Sequence, residues 1–303
     1  MSVDAVLIAG PTASGKSAAA LALAERAHGV VINTDSMQVY REARILTARP
    51  DADAEAHAPH RLYGHVSVTE AYSVARYQAD AAAALAEACA KRLLPIFTGG
   101  TGMYFGALTE GLADIPAVPP GIRNAAAARR DEIGAEAFHA ELAERDPEIA
   151  QRLRALDTQR VLRAYEVFEA SGRPLSAWQR SKPIPGPLVE LKLARFVVAP
   201  PRPELHRRID ERFVHMLAAG AVEEAARLSS FELSKSAAKI LGLRELQAVS
   251  TGRMAVDEAR STAQAATRQY AKRQLTWFRH RMKDWTWLEP SGNFLTEIFT
   301  SVT

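Results

Sequence analysis

Short apolar runs alternate with helix-length amphipathic segments along the first third of the chain. Three runs, "AVLIAG", "VVINT" and "LLPIFT", are rich in residues that favour strands. Between them, apolar positions recur at helical spacing over Lys16–Ala27 and over about residues 73–91. Strands that alternate with helices in this way form βαβ units. The pattern therefore predicts an α/β fold, with a parallel sheet flanked by helices.

The sheet pattern is interrupted and then resumes. Another β-like run, "LKLARFVVAP", covers residues 191–200, and a helical pattern follows from near Pro203 to Gly220. The segment between reads as helices, and helix-breaking residues lie at its two ends: Pro116, Pro119, Pro120, Pro183, Pro185, Gly186 and Pro187. We therefore expect a core made of residues 1–115 and 190–303, which carries a helical insertion domain at residues 116–189.

Composition places the chain among ordinary globular proteins. Of its 303 residues 48% are hydrophobic and 24% are charged, which excludes disordered and collagen-like classes. No apolar run is long enough to span a bilayer, and the N-terminus lacks the features of a signal peptide. The single cysteine, Cys89, cannot form an intrachain disulfide. We expect a cytoplasmic monomer with no membrane partner.

Charge is unevenly distributed, although the net charge is only +3. From residue 259 to residue 283 there is no acidic residue, whereas seven are basic: Arg260, Arg268, Lys272, Arg273, Arg279, Arg281 and Lys283. Residues 268–283 are predicted to form one helix with a basic face and, opposite it, Tyr270 and Trp277. A second basic cluster lies in the insertion: Arg152, Arg154, Arg160 and Arg163. A solvated helix face is the alternative, but the absence of acids favours a polyanion as partner.

One local motif indicates phosphate binding. The segment "GPTASGKS" follows a predicted strand, opens a predicted helix and fits the pattern G-x-x-x-x-G-K-[ST]. Its members are Gly10, Pro11, Thr12, Ala13, Ser14, Gly15, Lys16 and Ser17. Backbone N–H groups of such a loop converge on phosphate oxygens, the lysine adds charge, and the serine is a candidate Mg²⁺ ligand. A nucleoside triphosphate is the default ligand, but any diphosphate fits the same cradle.

Two further segments follow predicted strands and so lie at the same edge of the sheet. In "VINTDS", Asp35 has three possible roles: metal ligand, proton acceptor, or cap of the following turn. In "TGGTGMYF", the glycines allow close backbone approach to a ligand, and Thr101 offers a hydroxyl. A plain tight turn is the alternative for this second segment. The run "LLPIF" carries no terminal acid, which weakens the interpretation as an ATPase.

Taken together, seven segments resemble the tRNA dimethylallyltransferase family: "GPTASGKS", "DSMQVY", "EAYSVARYQADA", "PIFTGGTGMYF", "DTQRVLRAYEVFEASGRPLS", "RIDERFVHMLAAGAVEEAARL" and "RQYAKRQLTWFR". The resemblance covers nearly the whole chain. It implies transfer of a dimethylallyl group from dimethylallyl diphosphate to N6 of the adenosine 3′-adjacent to the anticodon of tRNA. It also implies a phosphate-loop α/β core whose helical insertion helps to grip the anticodon stem-loop.

The resemblance also assigns residues to the ligands. It places the prenyl diphosphate, instead of ATP, on Gly10 to Ser17, and the target adenine on Asp35, Ser36, Met37, Gln38 and Thr101. It places further tRNA contacts on Arg123, Gln159, Arg160, Val161, Leu162, Arg163, Lys239, Arg244, Arg268, Lys272 and Arg279. The chain departs from the family pattern at "ARILTARP", "PHRLYGH" and "GLRE", none of which touches the phosphate loop, Asp35 or Thr101.

These assignments give a mechanistic hypothesis. Asp35 would accept the proton that the adenine amine loses, with Thr101 orienting the amine, while Mg²⁺ on Ser17 would stabilise the leaving diphosphate. One alternative is a small-molecule kinase, in which Asp35 would activate a hydroxyl for ATP. The other is a nucleotide-gated RNA-binding protein with no catalytic activity.

Overall fold

A computed structural model describes residues 3–290 and 294–302. Within these residues six strands form one sheet: β1 Ala5–Ala9, β2 Gly29–Asn33, β3 His60–Arg61, β4 Leu94–Gly99, β5 Leu193–Val198 and β6 Thr286–Leu288. Every pairing is parallel, and the strand order is β3-β2-β4-β1-β5-β6. The predicted parallel α/β fold is confirmed.

Helices account for most of the remaining regular structure. They are α1 Lys16–Ala27, α2 Ala52–His57, α3 Val74–Ala90, α4 Gly102–Thr109, α5 Pro120–Ile133, α6 Ala135–Arg145, α7 Pro147–Arg152, α8 Thr158–Ser171, α9 Leu175–Arg180, α10 Arg202–Ala218, α11 Ala221–Leu228, α12 Leu243–Ser250, α13 Val256–Arg281 and α14 Phe294–Val302. The first predicted helix matches α1 and the second matches α3, where the Ser73 side chain accepts the N–H of Arg76 as an N-cap.

The predicted helix at residues 268–283 is only the second half of α13. Its first half carries small residues, such as Ala259 and Ala263, that are fully buried against the core. Two acids, Asp257 and Glu258, occupy the first turn, where the helix dipole favours negative charge. The charge pattern that marks residues 268–283 therefore begins inside the helix, and Lys283 lies just beyond its end.

The central strand β1 explains why the predicted runs are so apolar. All five of its residues are fully buried, because helices cover both faces of the sheet. Leu7 belongs to one apolar cluster, and Val6 and Ile8 belong to another that includes residues of α1. The alternation along β1 thus divides the core into two layers.

The chain separates into two compact units, Met1–Thr109 with Gly186–Thr303 and, between them, Glu110–Pro185. These divisions fall a few residues before the predicted boundaries at 116 and 190. One reason is that Leu112 and Ile184 pair as an antiparallel bridge, with N–H to carbonyl distances of 3.1 and 2.8 Å. The proline positions from which the boundaries were predicted do not indicate this pairing.

The unit Glu110–Pro185 contains α5 to α9 and has an apolar core of its own. Phe138, Leu142, Val161 and Tyr165 are buried in that core, and the Phe138 and Tyr165 rings lie 4.5 Å apart. This unit is helical in agreement with its sequence pattern.

Register in the other unit sets the position of the candidate site. Ala9 of β1 pairs with Gly99 of β4, and Asn33 of β2 pairs with Thr98 of β4. The loops that follow these three strands therefore leave the sheet side by side, at its carboxyl edge, where open α/β folds bind ligands.

Candidate active site

The loop that joins β1 to α1 is shaped by its backbone. Gly15, which precedes α1, has φ 94°, and Ala13 also has a positive φ of 63°. A Cβ on Gly10 would lie 2.7 Å from a backbone carbonyl oxygen of β5, so only glycine fits there. The Lys16 ammonium folds back and donates to the Pro11 carbonyl at 3.2 Å. The loop has the closed shape of a phosphate cradle at a helix N-terminus.

Cations and one carboxylate share this pocket. Burial lowers the pKa of Lys16 to about 8; the Asp35 carboxylate opposes the fall, and the Arg212 guanidinium adds to it. Burial also lowers the pKa of Arg212, again against the effect of Asp35. Because these charges are shielded from water, each attracts an oppositely charged ligand more strongly than an exposed charge would.

Two arginines of α10 complete the cationic lining of the phosphate loop. Arg208 donates to the Ser14 carbonyl at 3.3 Å, and Arg212 donates to the Thr12 hydroxyl. Neither residue was assigned a role from the sequence. Their i, i+4 spacing, on the helix that follows the strand next to β1, is the signal that would have indicated them.

Asp35 is held just beyond the end of β2. The Asn33 side chain accepts the Asp35 N–H at 2.8 Å and donates to the Asp35 carbonyl at 2.9 Å. One carboxylate oxygen of Asp35, Oδ1, accepts the N–H of Met37 at 2.9 Å, as a turn cap does. The other oxygen, Oδ2, lies over Gly100, 3.2 Å from where a Cβ on that residue would stand. Capping therefore uses one oxygen and leaves the other directed at the second glycine loop.

Thr101 lies beside the segment that carries Asp35. Its hydroxyl oxygen accepts the Ser36 N–H at 2.9 Å and its hydroxyl contacts the Ser36 hydroxyl at 3.2 Å. Burial and the Asp35 carboxylate raise the pKa of Tyr270, whereas Arg273 and a hydrogen bond with Thr101 oppose the rise. Asp35, Ser36, Thr101 and Tyr270 thus form one polar group, which the structure assembles from β2, β4 and α13.

The three glycines at the end of β4 and just after it lie in close contact with other parts of the protein. A Cβ on Gly99 would lie 2.0 Å from the Thr34 carbonyl oxygen, and a Cβ on Gly102 would lie 2.2 Å from the Trp277 ring. On Gly100 it would lie 2.2 Å from the side-chain nitrogen of Gln274. Close packing against α13 therefore accounts for Gly100 and Gly102, and close packing against the backbone that follows β2 accounts for Gly99.

Gln274 of α13 connects the two glycine loops. Its side chain is buried; the carboxamide oxygen accepts the Thr12 N–H at 2.9 Å, and the nitrogen donates to the Gly100 carbonyl at 2.8 Å. The sequence pattern did not indicate this residue, because it lies in a segment whose charges are typical of a surface helix. The structure shows that the same helix has one face directed at the site.

Two of the residues predicted to meet the adenine, Met37 and Gln38, also make contacts within the protein. Met37 is partly buried against the core and lines a partly apolar pocket. Gln38 donates to the carbonyls of Thr47 and Ala48, at 2.9 and 2.7 Å. The structure therefore gives each of them a packing or anchoring role in addition to any contact with a base.

Two adjoining pockets open at this edge of the sheet. The phosphate pocket is lined by residues 12–18, Asp35, Gln38, Thr47, Ala48, Arg208 and Arg212. The second pocket, called the apolar pocket below, is lined by seven apolar side chains, Met37, Leu46, Ile209, Phe213, Met216, Ile240 and Leu241, and by six polar or charged residues. Thr12, Asp35, Thr47 and Arg212 line both pockets. The site thus has a cationic part and an apolar part, which meet at Asp35.

The predicted tRNA residues of this unit differ in their accessibility. Lys272 and Arg279 of α13 are exposed, as are Lys239 and Arg244. Arg268 is only partly exposed and forms an ion pair with Asp210 of α10. Four of the five therefore lie at the surface, where a polyanion has access, and one is engaged within the protein.

In the unit Glu110–Pro185 the predicted run of residues 159–163 forms one turn of α8. Gln159 is exposed, and Arg160 is exposed and pairs with Asp157 at 3.1 Å. Val161 is buried in the core of this unit, so its side chain is not at the surface, and Leu162 packs against the same core. Burial and the exposed Arg123 both lower the pKa of the half-buried Arg163.

Two features bear on other classes of site. Across residues 3–290 and 294–302, no helix is both long and apolar enough to cross a membrane. The same residues contain no group of three or more His, Cys, Asp or Glu side chains that could hold a metal ion.

Comparison with known proteins identifies the family. A family model described as IPP transferase matches residues 38–281, and a model described as isopentenyl transferase matches residues 3–71. The tRNA dimethylallyltransferase of Nitrobacter hamburgensis is 53% identical over 95% of this chain and 91% of its own length. That of Azorhizobium caulinodans is 54% identical over 93% of this chain and 90% of its own length. The chain belongs to the tRNA dimethylallyltransferase family.

Solved structures of this family have the same fold. The tRNA isopentenylpyrophosphate transferase of Bacillus halodurans superposes with a TM-score of 0.69 at 31% identity, over 99% of this chain and 95% of that one. A eukaryotic dimethylallyltransferase that acts on tRNA superposes with a TM-score of 0.80 at 25% identity, over 95% of this chain and 74% of that one. The prediction of a prenyltransferase is confirmed, and the small-molecule kinase and the RNA-binding protein are not favoured.

Proposed function

We propose that this member of the tRNA dimethylallyltransferase family transfers a dimethylallyl group from dimethylallyl diphosphate to N6 of the adenosine 3′-adjacent to the anticodon, releasing diphosphate. The observation that carries the proposal is the position of Asp35. It lines both pockets, lies beside Thr101 on one side, and acts electrostatically on Lys16 and Arg212 on the other. A carboxylate at that junction would lie between a prenyl diphosphate in the phosphate pocket and an incoming amine.

The two pockets fit the two parts of the donor. The phosphate pocket supplies backbone N–H groups, Lys16, Arg208 and Arg212 for the diphosphate. The apolar pocket that adjoins it offers apolar side chains, including Ile209 and Phe213, to a hydrocarbon tail. These apolar side chains support an allylic diphosphate as the ligand.

The residues present are suited to Mg²⁺ held mainly by the substrate. Ser17 at the N-terminus of α1 offers a hydroxyl next to the phosphate loop, and it is exposed. Mg²⁺ keeps several waters and commonly binds through one or two protein oxygens plus phosphate oxygens, so it does not need a cluster of carboxylates. When bound, it would neutralise charge on the departing diphosphate.

The chemistry requires one proton acceptor and stabilisation of one leaving group. The N6 nitrogen forms a bond to the allylic carbon of the donor while the bond from that carbon to the diphosphate oxygen breaks, and the electron pair leaves with the diphosphate. The proton of N6 passes to Asp35, whose Oδ2 is not used in the turn cap. Thr101 orients the amine, and Lys16, Arg208 and Arg212 stabilise the diphosphate.

The partner is the anticodon stem-loop of tRNA. Exposed basic residues on α12 and α13, together with those of the insertion unit, offer contacts to phosphates. The target base leaves its stack to reach Asp35, as enzymes that modify a base generally require. We further propose that the protein acts as a cytoplasmic monomer.

The test is direct. The protein is incubated with labelled dimethylallyl diphosphate, Mg²⁺ and unmodified tRNA, and the digested RNA is examined for N6-prenylated adenosine. We expect label on the adenosine next to the anticodon and none when that adenosine is replaced by guanosine. ATP consumption without prenyl transfer would indicate a kinase, and salt-sensitive tRNA binding without product would indicate a binding protein.

A further inference from the structure

Glu224 of α11 is a buried carboxylate that the mechanism above does not use. Its side chain is only 3% exposed. Oε2 accepts the N–H groups of Arg44 and Ile45, each at 2.9 Å, and Oε1 accepts the N–H of Leu46 at 2.8 Å. Burial of a carboxylate is costly unless hydrogen bonds compensate it, so a carboxylate that collects three consecutive backbone N–H groups strongly restrains the segment that donates them.

The restrained segment, residues 43–49, is held from its other side as well. Gln38 donates to the carbonyls of Thr47 and Ala48. Arg49 donates to the Tyr40 carbonyl at 3.0 Å. The segment contains no helix or strand. Two turn hydrogen bonds lie within it, from the Ala48 N–H to the Ile45 carbonyl at 2.9 Å and from the Arg49 N–H to the Arg44 carbonyl at 3.1 Å, and the side chains of Gln38 and Glu224 restrain it from outside.

Residues 43–49 form a wall of the donor site. Leu46 lines the apolar pocket, Ala48 lines the phosphate pocket, and Thr47 lines both. Leu46 is also the residue whose N–H is bound to Oε1 of Glu224. The position of this wall therefore depends on a side chain that lies outside both pocket linings.

We propose that Glu224 is a positioning residue that sets the chain length of the donor. By fixing residues 44–46 it holds Leu46 where the apolar pocket admits a five-carbon tail and stops a longer allylic chain. Because side chains in a packed wall cannot shift without loss of contacts, a wall anchored by three hydrogen bonds resists displacement by the extra carbons. This inference rests on the proposed donor.

The first variant is Glu224→Gln. A carboxamide has one acceptor oxygen and turns its NH₂ group towards at least one of the three N–H groups, so the wall loses part of its anchor. We expect KM for dimethylallyl diphosphate to rise about tenfold, with KM for tRNA unchanged. The preference for dimethylallyl over geranyl diphosphate, measured as the ratio of kcat/KM values, is expected to fall about tenfold.

The neighbouring glutamate provides a matched control. Glu223 is exposed on the same helix, and Glu223→Gln is expected to keep wild-type constants and selectivity. Glu224→Asp, which keeps both oxygens, is expected to recover part of the selectivity. Leu46→Ala leaves the backbone contacts of Glu224 in place and shortens the wall directly, so it is expected to accept geranyl diphosphate.

Three results would overturn the proposal. The first is a Glu224→Gln protein with a lower Tm but wild-type KM for the donor and wild-type selectivity, which would make Glu224 purely structural. The second is unchanged selectivity in Leu46→Ala, which decides the matter if Glu224→Gln does not fold. The third is equal effects of Glu223→Gln and Glu224→Gln. Failure of the wild-type protein to prenylate tRNA would instead refute the proposed function, so the two failures are distinguishable.

Discussion

The phosphate loop and the acceptor side of the site are held in place by different parts of the chain. The acceptor side is the group of Asp35, Ser36, Thr101 and Tyr270. Residues 10–17 form one continuous turn between β1 and α1, and its shape comes from positive φ angles at Ala13 and Gly15. The group around Asp35 is assembled from three distant segments. The first supplies Asp35 and Ser36, the second supplies Thr101, and the third supplies Tyr270. The first region is thus local, whereas the second depends on tertiary contacts.

This difference has consequences for how each region fails. In the proposed function, a substitution in the phosphate loop acts on the diphosphate directly. A substitution on the acceptor side acts either on the proposed proton acceptor or on the contacts that position it. Gln274, which bonds to Thr12 and to Gly100, is the residue that joins the two regions.

The largest effect is expected for Asp35→Asn. The amide oxygen retains the cap to the Met37 N–H, so the turn keeps its shape, but the side chain no longer accepts a proton. We expect kcat to fall roughly 10²- to 10⁴-fold, with KM for tRNA close to that of the wild type. Single-turnover assays with labelled donor measure the chemical step.

A surface aspartate controls for the loss of charge. Asp53 is 86% exposed at its side chain, and Asp53→Asn is expected to leave kcat unchanged. A wild-type kcat for Asp35→Asn would leave only the capping role for this residue. The acceptor side would then have no proton acceptor at this position.

The next effect concerns the connection between the two regions. Gln274→Met keeps the length of the side chain but removes both hydrogen bonds, leaving the Thr12 N–H and the Gly100 carbonyl without these partners. We expect kcat/KM for the donor to fall roughly 10- to 100-fold. Gln269→Met, at an exposed position of the same helix, is the matched control. If Gln274→Met behaves like this control, the two loops do not need the connection.

Sequence pattern predicted the local region more fully than the assembled one. The motif at residues 10–17 carries its own geometry, since glycine positions, lysine and serine are all within eight residues. Asp35 and Thr101 could be placed at one sheet edge because parallel strands end together. Arg208, Arg212, Gln274 and Glu224 were missed, because their partners lie far away in the chain and their neighbours indicate exposed helix faces. Their roles follow only from the packing of α10, α11 and α13 against the loops, which is a tertiary contact that local sequence does not encode.

The phosphate loop gives a pH dependence in the alkaline range. Lys16 has a pKa lowered to about 8 by burial, so its ammonium is charged below that pH and loses its proton above it. Only the charged form attracts the diphosphate, so kcat/KM for the donor should fall towards tenfold per pH unit above about 8. An arginine at position 16 keeps its charge at high pH, so Lys16→Arg should lose this fall of kcat/KM, the alkaline limb of the pH profile. Persistence of the limb in Lys16→Arg would assign it to another group.

The smallest effect is expected on the basic surface of α13, because the proposed tRNA contacts are many and each is weak. Arg279 is exposed, and Arg279→Gln removes one charge that is proposed to contact a phosphate. We expect KM for tRNA to rise a few-fold at low salt and the slope of log KM against log salt to fall by about one. Arg207→Gln, an exposed position on α10 whose guanidinium pairs with Glu204 and Glu211, should change neither quantity. Equal slopes for the two variants would show that α13 does not contact the tRNA backbone through Arg279, and RNA binding would then depend on the other basic residues.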